Sequence, residues 1–244
     1  MGWWAVYERE MRLMIKKVGK LGYFLSAILF PLIYLFAFGW GFGSDIAISG
    51  GYLPFLAKGM LAITVLLNSF QQTALSVSLG RFYFRTLQTV LLSPVSAWQT
   101  VLGITLAGVT RGLIAGMAVY GVAILVFAVP MLSISGLIGL VLAAFCFGAL
   151  GIAVGLWVDN PDALSTVINC LIMPMTFFCG SFFPLEKLPD GIREAVSILP
   201  LSLTNVLLRA PVWSTEAVQA VLILSILTIV SIGFGYWRIK KYSE

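Results

Sequence analysis

Residues 134–158 read ISGLIGLVLAAFCFGALGIAVGLWV, and no charged side chain interrupts them. A helix that crosses a bilayer needs about 20 mainly apolar residues, so this stretch alone predicts a transmembrane helix. The rest of the 244-residue chain has a similar character, since 60% of its residues are hydrophobic and 10% are charged. Soluble domains carry about 25% charged residues. The composition therefore predicts an all-α membrane protein.

Six stretches of this kind divide the chain. They predict transmembrane helices at about 21–40, 53–79, 99–129, 134–158, 163–183 and 216–237. The third and fourth carry closely spaced glycines, which form small-residue faces for close helix packing. These glycines are Gly108, Gly112, Gly116, Gly148, Gly151 and Gly155. We expect residues 21–244 to form a single six-helix transmembrane domain.

The first twenty residues differ from the spans because they mix aromatic and basic side chains at helical spacing. A helix of this kind lies in the membrane interface, with its aromatic rings among the headgroups and its cations toward anionic lipid. The sequence predicts such an interfacial helix over residues 1–20. The residues of this helix that we expect to lie at the interface are Trp3, Trp4, Tyr7 and Arg9.

A second amphipathic segment separates the second and third predicted spans. Arg81 and Arg85 are one helical turn apart, and Leu87 and Leu91 supply an apolar stripe. Pro94 is expected to end the helix, because proline lacks the amide hydrogen that a helix interior requires. The sequence therefore predicts one short helix over residues 81–94.

Residues 184–213 are of intermediate hydrophobicity and are divided by Pro184, Pro189, Pro200 and Pro211. The pieces between these prolines are too short to cross a bilayer. We therefore predict a pair of re-entrant or interfacial helices on the outer side, between the fifth and sixth spans.

The distribution of basic residues predicts the orientation of the chain. If the N-terminus is cytoplasmic, ten lysines and arginines lie in inner segments and four in outer segments. Cytoplasmic loops carry an excess of basic residues, so this count predicts that both termini are cytoplasmic.

Polar side chains within two spans are candidates for a translocation path. They are Asn68, Gln71 and Gln72 of the second span and Arg111 of the third. Buried amides and charges cost free energy unless they are paired or face water. The amides either bond neighbouring helices or line a path. Arg111 either has a structural partner or lipid phosphate, or contacts an anionic substrate.

Few groups in the chain suit catalysis or metal binding. It has no histidine, its three cysteines show no metal-ligand spacing, and it lacks the GxxxxGK[ST] phosphate loop. We predict no catalytic residue, no metal site and no cofactor bound by this chain. The basic residues flank apolar segments, which favours a lipid bilayer over nucleic acid as their partner.

Four stretches, in order along the chain, resemble the membrane subunit of ABC-2 type exporters. They are PLIYLFAFGWGFG at 31–43, FLAKGM at 55–60, RTLQTVLLSPVS at 85–96 and GSFFPLEKLP at 180–189. This family includes bacterial exporters of drugs, lipids, lipo-oligosaccharides and polysaccharides. The resemblance implies an outward permease for an amphipathic or lipid-linked substrate, located in the bacterial plasma (inner) membrane.

The resemblance also implies a half-transporter of the type V exporter fold. Its partners would be a separate ABC ATPase subunit, which binds ATP and Mg²⁺, and a second copy of this chain or a related permease. The segment between spans two and three would be the coupling helix, with the N-terminal helix as a second ATPase contact. The coupling residues implied are Arg81, Arg85, Thr86, Leu87, Gln88, Leu91, Leu92, Ser93 and Pro94. The outer re-entrant segment implied contains Gly180, Phe183, Pro184, Leu185, Pro189 and Pro200.

One residue departs from the family pattern, because Gln88 occupies a position where the family usually has glutamate. A glutamine carries no charge, so this departure weakens an account of coupling by ion pairs at residue 88.

Two other functions stay open at the level of sequence. An ion-coupled secondary transporter would place Asp, Glu or His within its spans, and none lies near the middle of a predicted span here. A membrane-embedded lipid-modifying enzyme would need clustered polar catalysts at one interface, and no such cluster stands out.

Overall fold

The structure is a computed structural model, and it describes residues 2–18, 21–41, 51–210 and 214–243. Within these ranges the chain forms helices and no strand, which confirms the predicted all-α class. The α-helices are α1 (Gly2–Val18), α2 (Leu21–Gly41), α3 (Tyr52–Leu66), α4 (Gln72–Phe82), α5 (Thr86–Leu91), α6 (Ala97–Phe127), α7 (Ile134–Trp157), α8 (Pro161–Phe178), α9 (Asp190–Ser197), α10 (Pro200–Arg209) and α11 (Thr215–Ser243). A π-helical turn, Leu67–Gln71, joins α3 to α4, and a 3₁₀ turn, Leu185–Lys187, precedes α9.

Five helical segments in the described ranges are long and apolar enough to cross a bilayer. They are Tyr52–Phe82, Ala97–Phe127, Ile134–Trp157, Pro161–Phe178 and Thr215–Tyr242. They correspond to predicted spans two to six. The first predicted span coincides with α2, whose described side chains give the shorter apolar stretch Ile28–Gly39. The helices α9 and α10 meet at a bend of 86° and form a broken span or a re-entrant pair.

Three predicted bounds differ from the bounds of the helices in the structure. The fifth predicted span extended to residue 183, but α8 ends at Phe178, and the chain beyond it turns through Gly180 at φ +76°. The sixth extended to residue 237, but α11 continues to Ser243. The helix predicted over 81–94 is two elements, because α4 extends to Phe82 and α5 begins only at Thr86.

The segment Tyr52–Phe82 forms the centre of the bundle. Its most apolar part is 72% buried, against 28% for the corresponding parts of α8 and α11. The π-helical turn lies midway along this segment, and Asn68, Ser69 and Phe70 within it are buried. Such turns occur mostly as single interruptions of α-helices, frequently at functional sites. The hydropathy of the sequence does not predict them.

The central segment packs closely against α6 and α7 because glycines line the contacts. A Cβ atom added to Gly151 would lie 2.6 Å from the carbonyl oxygen of Phe70, and one added to Gly155 would lie 2.8 Å from that of Ala74. On α6, Gly108 and Gly112 face Thr73 and Ser69 in the same way. The predicted small-residue faces are therefore confirmed, since larger side chains would force these helices apart.

The bundle has two distinct ends. At the α5 end, the C-termini of α4, α7 and α11 lie close to the start of α6. Contacts of Arg81 with Val158 and Tyr242 connect the three C-termini. The α10 end gathers the start of α3 and α7 with α10, where the hydroxyl of Ser135 donates to the carbonyl oxygen of Ala210 at 2.8 Å.

A candidate coupling junction and a polar cavity

A reversal of the chain at the α5 end carries the coupling residues. Arg85 precedes α5 in a left-handed conformation at φ 48°. Such a conformation is uncommon for a residue with a side chain, and it redirects the chain after α4. Leu87 is buried in a cluster with Val77 of α4, so α5 is held against the bundle. Ser96 and Gln99 form a reciprocal capping box that begins α6.

Arg81 does not lie on the short helix that the sequence predicted. It occupies the last turn of α4 and is buried, 8% exposed. Its guanidinium donates to the carbonyl oxygens of Gly155 at 3.1 Å, Leu156 at 2.9 Å and Val158 at 3.0 Å. The last carbonyl groups of a helix have no partner within it, so Arg81 caps the C-terminus of α7.

The same arginine joins two further elements to the junction. Arg81 also bonds the hydroxyl of Tyr242 on α11, and Arg238 of α11 donates to the carbonyl oxygen of Leu156 at 3.0 Å. The side-chain amide of Gln88 donates to the carbonyl oxygen of Arg81 at 2.9 Å. A glutamate carboxylate could not donate this bond, so glutamine at residue 88 fits its surroundings without any ion pair.

The outward side of this junction is unusually apolar. Tyr83, Phe84 and Leu92 are 67%, 70% and 90% exposed, whereas Leu91 is half-buried against the bundle. Arg85 and Pro94 are also exposed, and Thr86 and Ser93 are half-buried. Of the two adjacent leucines, Leu92 is therefore the one available to a partner surface.

The helix α1 packs along the first half of α6 instead of standing apart from the bundle. Val6 is 3% exposed and packs at Gly103, and the hydroxyls of Tyr7 and Thr110 are 3.2 Å apart. Trp3, Tyr7 and Arg9 are half-buried, and Trp4 is 50% exposed. The predicted N-terminal helix is present over Gly2–Val18, and Met1, Gly19 and Lys20 lie outside the described residues.

A buried ion pair connects α1 to the bundle. The guanidinium of Arg111 donates to the side-chain carboxylate of Glu10 at 2.9 Å and to the backbone carbonyl oxygen of Glu10 at 3.0 Å. The hydroxyl of Ser76 on α4 donates to the same carboxylate at 2.8 Å. The two charged side chains are 11% and 5% exposed. Of the alternatives open for Arg111, the structure thus supplies a structural partner, and three helices meet at this cluster.

The four residues predicted for a translocation path do not converge on one surface. The amide of Asn68 donates to the carbonyl oxygen of Thr64 at 2.9 Å, on its own helix. Gln71 is half-buried in the π-helical turn. Gln72 and Arg111 line a cavity of about 410 Å³ between α1, α4, α5 and α6. The structure therefore brings two of the four residues together, at the α5 end.

The predicted outer segment is held by buried polar contacts. The amide of Asn205 donates to the carbonyl oxygen of Cys179 at 2.9 Å and to the hydroxyl of Ser181 at 3.0 Å. Gly180 between them has φ +76°, a conformation that favours glycine. Burial raises the pKa of the Cys179 thiol, and hydrogen bonds with Ser202 partly oppose this shift.

The prolines of this segment lie at helix boundaries. Pro189 directly precedes α9, Pro200 begins α10, and Phe183 packs on the main core. Pro184 and Leu185 line a second cavity, of about 480 Å³, at the α10 end. Pro211, the last proline of the predicted segment, lies outside the described residues.

Arg209 shares this second cavity. Its guanidinium lies 3.6 Å from the ring centroid of Phe55 and donates to the Phe55 carbonyl oxygen at 3.3 Å. A cation over an aromatic face is attracted by the ring quadrupole, so Arg209 ties α10 to the start of α3.

Sequence reasoning missed Glu10, Tyr242 and Asn205. Glu10 had a usable signal, since it follows Val6 by four residues and so shares the buried face of α1. Tyr242 and Asn205 had none, because their partners are more than 20 residues away along the chain. No group of three potential metal-ligating side chains occurs within residues 2–18, 21–41, 51–210 and 214–243.

The long apolar helices and their glycine-lined contacts define a polytopic helical membrane protein. The sequence pattern of the ABC-2 type transporter family matches residues 1–213. The chain belongs to this family, whose members are membrane components of ABC transporters and not enzymes themselves. Membership implies an ABC ATPase as partner.

Individual relatives cover most of the chain. It is 27% identical over 241 residues to Nodulation protein J of Rhizobium leguminosarum bv. viciae, covering 94% of this chain and 89% of the relative. It is 29% identical over 213 residues to Nodulation protein J of Rhizobium meliloti, and the match covers 82% of this chain and 78% of the relative. It is 28% identical over 192 residues to the Inner membrane transport permease YadH of Escherichia coli, covering 77% and 72%.

Proposed function

We propose that this chain is the transmembrane half of an ATP-driven exporter that moves an amphipathic or lipid-linked substrate outward across the bacterial inner membrane. The observation that carries the proposal is the α4–α5 junction. The short helix α5 packs against the bundle and is flanked by the exposed side chains of Phe84 and Leu92. Its Gln88 bonds Arg81 of α4, which in turn bonds α7 and α11. A force applied to α5 would therefore reach several long helices at once.

The ATPase docks, in this proposal, on the exposed apolar surface formed by Tyr83, Phe84 and Leu92. Exposed apolar residues that cluster on one surface mark interaction sites with proteins or membranes. The N-terminal helix provides a second contact through Trp4 and Arg9. ATP and Mg²⁺ are bound by the partner subunit.

Orientation in the membrane follows from the charge distribution together with this docking surface. The ATPase is cytoplasmic, so the α5 end and both termini lie on the cytoplasmic side. The basic residues Arg85, Arg238 and Lys241 belong to this end, as the excess of cytoplasmic lysine and arginine requires. The α10 end, with the bent helix pair, then lies on the outer side.

A second copy of the chain completes the transporter by packing on α8. This helix has the exposed polar residues Asp162, Ser165, Thr166 and Asn169. The hydroxyls of Ser165 and Thr166 bond carbonyl groups of their own helix at 3.2 and 3.3 Å. The side-chain amide of Asn169 makes no hydrogen bond with any residue that the structure describes. An amide in this position is unfavourable in lipid and favourable against a second helix that can bond it.

The substrate path in this proposal passes between the two copies, and each copy contributes its polar cavity at the α5 end. Gln72 and Arg111 are the path residues that this cavity supports. Asn68 and Gln71 line a deeper part of the path only if the π-helical turn rearranges during the cycle.

The test is reconstitution in lipid vesicles with the partner ATPase, followed by a screen for amphiphiles that stimulate ATP turnover. Leu92→Asp should lower ATPase co-purification and stimulated turnover at least about tenfold, because a charge then interrupts the apolar contact. Met131→Asp is the matched control, since Met131 is 81% exposed in the connection at the α10 end.

Two results would overturn the proposal. One is Leu92→Asp with unchanged ATPase binding and turnover. The other is transport of an amphiphile by the wild-type chain that persists after ATP is removed.

A further inference from the structure

The cavity at the α5 end has an uneven distribution of charge. Two of its eleven lining residues are cationic, Arg9 of α1 and Arg111 of α6, and none is anionic. The nearby carboxylate of Glu10 is bonded to Arg111 and Ser76. Two guanidinium groups and one carboxylate leave one positive charge without a counter-ion among the described residues.

The uncompensated charge belongs to Arg9. Arg9 forms no ion pair with any residue that the structure describes, whereas Arg12 on the next turn pairs with Glu8. Arg111 retains one unused donor as well, since its Nε atom is buried without a hydrogen-bond partner. A cation taken out of water is costly unless an anion accompanies it.

The other walls of the cavity are apolar. Leu75 and Leu79 of α4 and Met14 of α1 line it, and Phe84, which is 70% exposed, lies at its edge. The volume of about 410 Å³ lies within the range typical of small-molecule sites. A pocket that combines guanidinium donors with aliphatic walls suits a molecule with an anionic head and an apolar chain.

We propose that this cavity binds the acidic head group of an amphiphile, a phosphate ester in particular, between Arg9 and Arg111. Guanidinium groups bind phosphate oxygens through paired N–H donors, and the aliphatic walls accept the first methylene groups of the chain. The polar atoms of Gln72 and Ser76 lie on the same lining surface. The inference depends on the membrane location of the chain but not on ATP-driven export.

The experiment is a binding titration of the purified full chain in detergent micelles, without ATPase or nucleotide. The probes are dioctanoyl phosphatidic acid, dioctanoylglycerol and inorganic phosphate, followed by native mass spectrometry. Phosphatidic acid should bind at least about tenfold more tightly than dioctanoylglycerol, because charge-assisted hydrogen bonds distinguish the two head groups. It should also bind more tightly than inorganic phosphate, which lacks the chain.

Arg9→Gln should weaken binding of phosphatidic acid about tenfold, and Arg9→Lys should restore part of the loss. Arg12→Gln is the matched control, because it removes the same charge from the same helix outside this cavity and should leave binding unchanged. Arg111→Gln is a weaker probe of binding, since it also leaves Glu10 unpaired.

Three results would overturn the proposal. Equal losses in Arg9→Gln and Arg12→Gln would show attraction to a basic surface only. Equal affinities for phosphatidic acid and dioctanoylglycerol would show that the phosphate group does not contribute to binding. Equal affinities for phosphatidic acid and inorganic phosphate would make the cavity a free-phosphate site. None of these results depends on ATP turnover, so they are separate from a failure of the export proposal.

Discussion

The helices α8 and α11 are equally exposed, but the first half of α8 exposes polar side chains where the centre of α11 exposes aliphatic ones. The most apolar part of each is 28% buried. The exposed residues of α11 are aliphatic along its central turns, among them Leu222, Ile226 and Ile229. Those of α8 include Thr166 and the amide of Asn169. The exposed fraction of a membrane helix therefore does not predict whether lipid or protein lies against it. An isoleucine side chain is stable in lipid, whereas an amide has no hydrogen-bond partner there.

The two helices also differ in how they are held. The end of α11 is bonded to the junction through Tyr242 and Arg238. The start of α8 is capped locally, by the side chain of Asn160 on the amide of Ala163 at 2.6 Å. In the proposed assembly, α11 moves with the junction, whereas α8 packs against the second copy.

The largest effect should come from a charge placed in the middle of each helix. Ile229→Asp puts a carboxylate where we expect lipid, at a cost of about 2.5–3.5 kcal/mol. Asn169→Asp, the corresponding change on α8, should cost clearly less, because we propose that this surface faces a second copy of the chain. Unfolding in mixed micelles with increasing SDS measures both. Equal costs would mean that α8 and α11 face the same surroundings.

The second effect concerns self-association. Asn169→Leu removes a side chain that we expect to bond across the subunit contact, which is worth about 0.6–2 kcal/mol in membrane proteins. Energy transfer between labelled copies, measured while vesicles are diluted with lipid, should show weaker association. Val230→Leu on α11 is the control and should leave association unchanged. Stronger association of the leucine variant would contradict the proposed contact.

A smaller effect should appear at the junction. Tyr242→Phe removes the hydroxyl that bonds Arg81, and loss of a hydrogen bond to a charged group costs about 1.5–3 kcal/mol when it is buried. Because Tyr242 is 46% exposed, we expect about 1 kcal/mol or less. Hydrogen exchange of the last turn of α11 should accelerate. Tyr236→Phe makes the same change on the same helix and should not alter that exchange.

The smallest effect uses the native cysteines and requires no mutation. Cys170 is exposed on α8, whereas Cys146 and Cys179 are buried. Burial raises the pKa of Cys179, so less of the reactive thiolate is present at any given pH. A maleimide at pH 7–8 should therefore modify Cys170 in dispersed chains and modify it more slowly in associated ones. Faster modification of Cys179 than of Cys170 would contradict the burial of Cys179.

Much of the architecture was predictable from hydropathy. The long spans, the amphipathic α1 and the proline-bounded helices α9 and α10 each follow from local composition, because a bilayer requires long apolar helices and proline restricts where helices begin. The glycine faces of α6 and α7 were predictable for a related reason, since close packing in a membrane needs small side chains.

The candidate site was less predictable. Arg81 was assigned by its neighbours in sequence to a surface helix, yet it is buried under the end of α7. Arg111 was predicted only to have some partner, and the partner proved to be Glu10, one hundred and one residues earlier. A hydropathy value depends only on the residue and its neighbours in sequence, not on a distant group that pairs with it. The contacts of Arg81 and Arg111 therefore could not be predicted from the local sequence.

The sequence alone determined that this chain is a helical membrane protein and placed its spans, because the energy of burying polar groups in lipid depends mainly on local composition. The tertiary structure decided which charges have partners among the described residues and which do not. Arg81 and Arg111 are bound to carbonyl and carboxylate groups, whereas Arg9 is not. Residues far apart along the chain make those bonds, and only the packing of the helices brings them within reach.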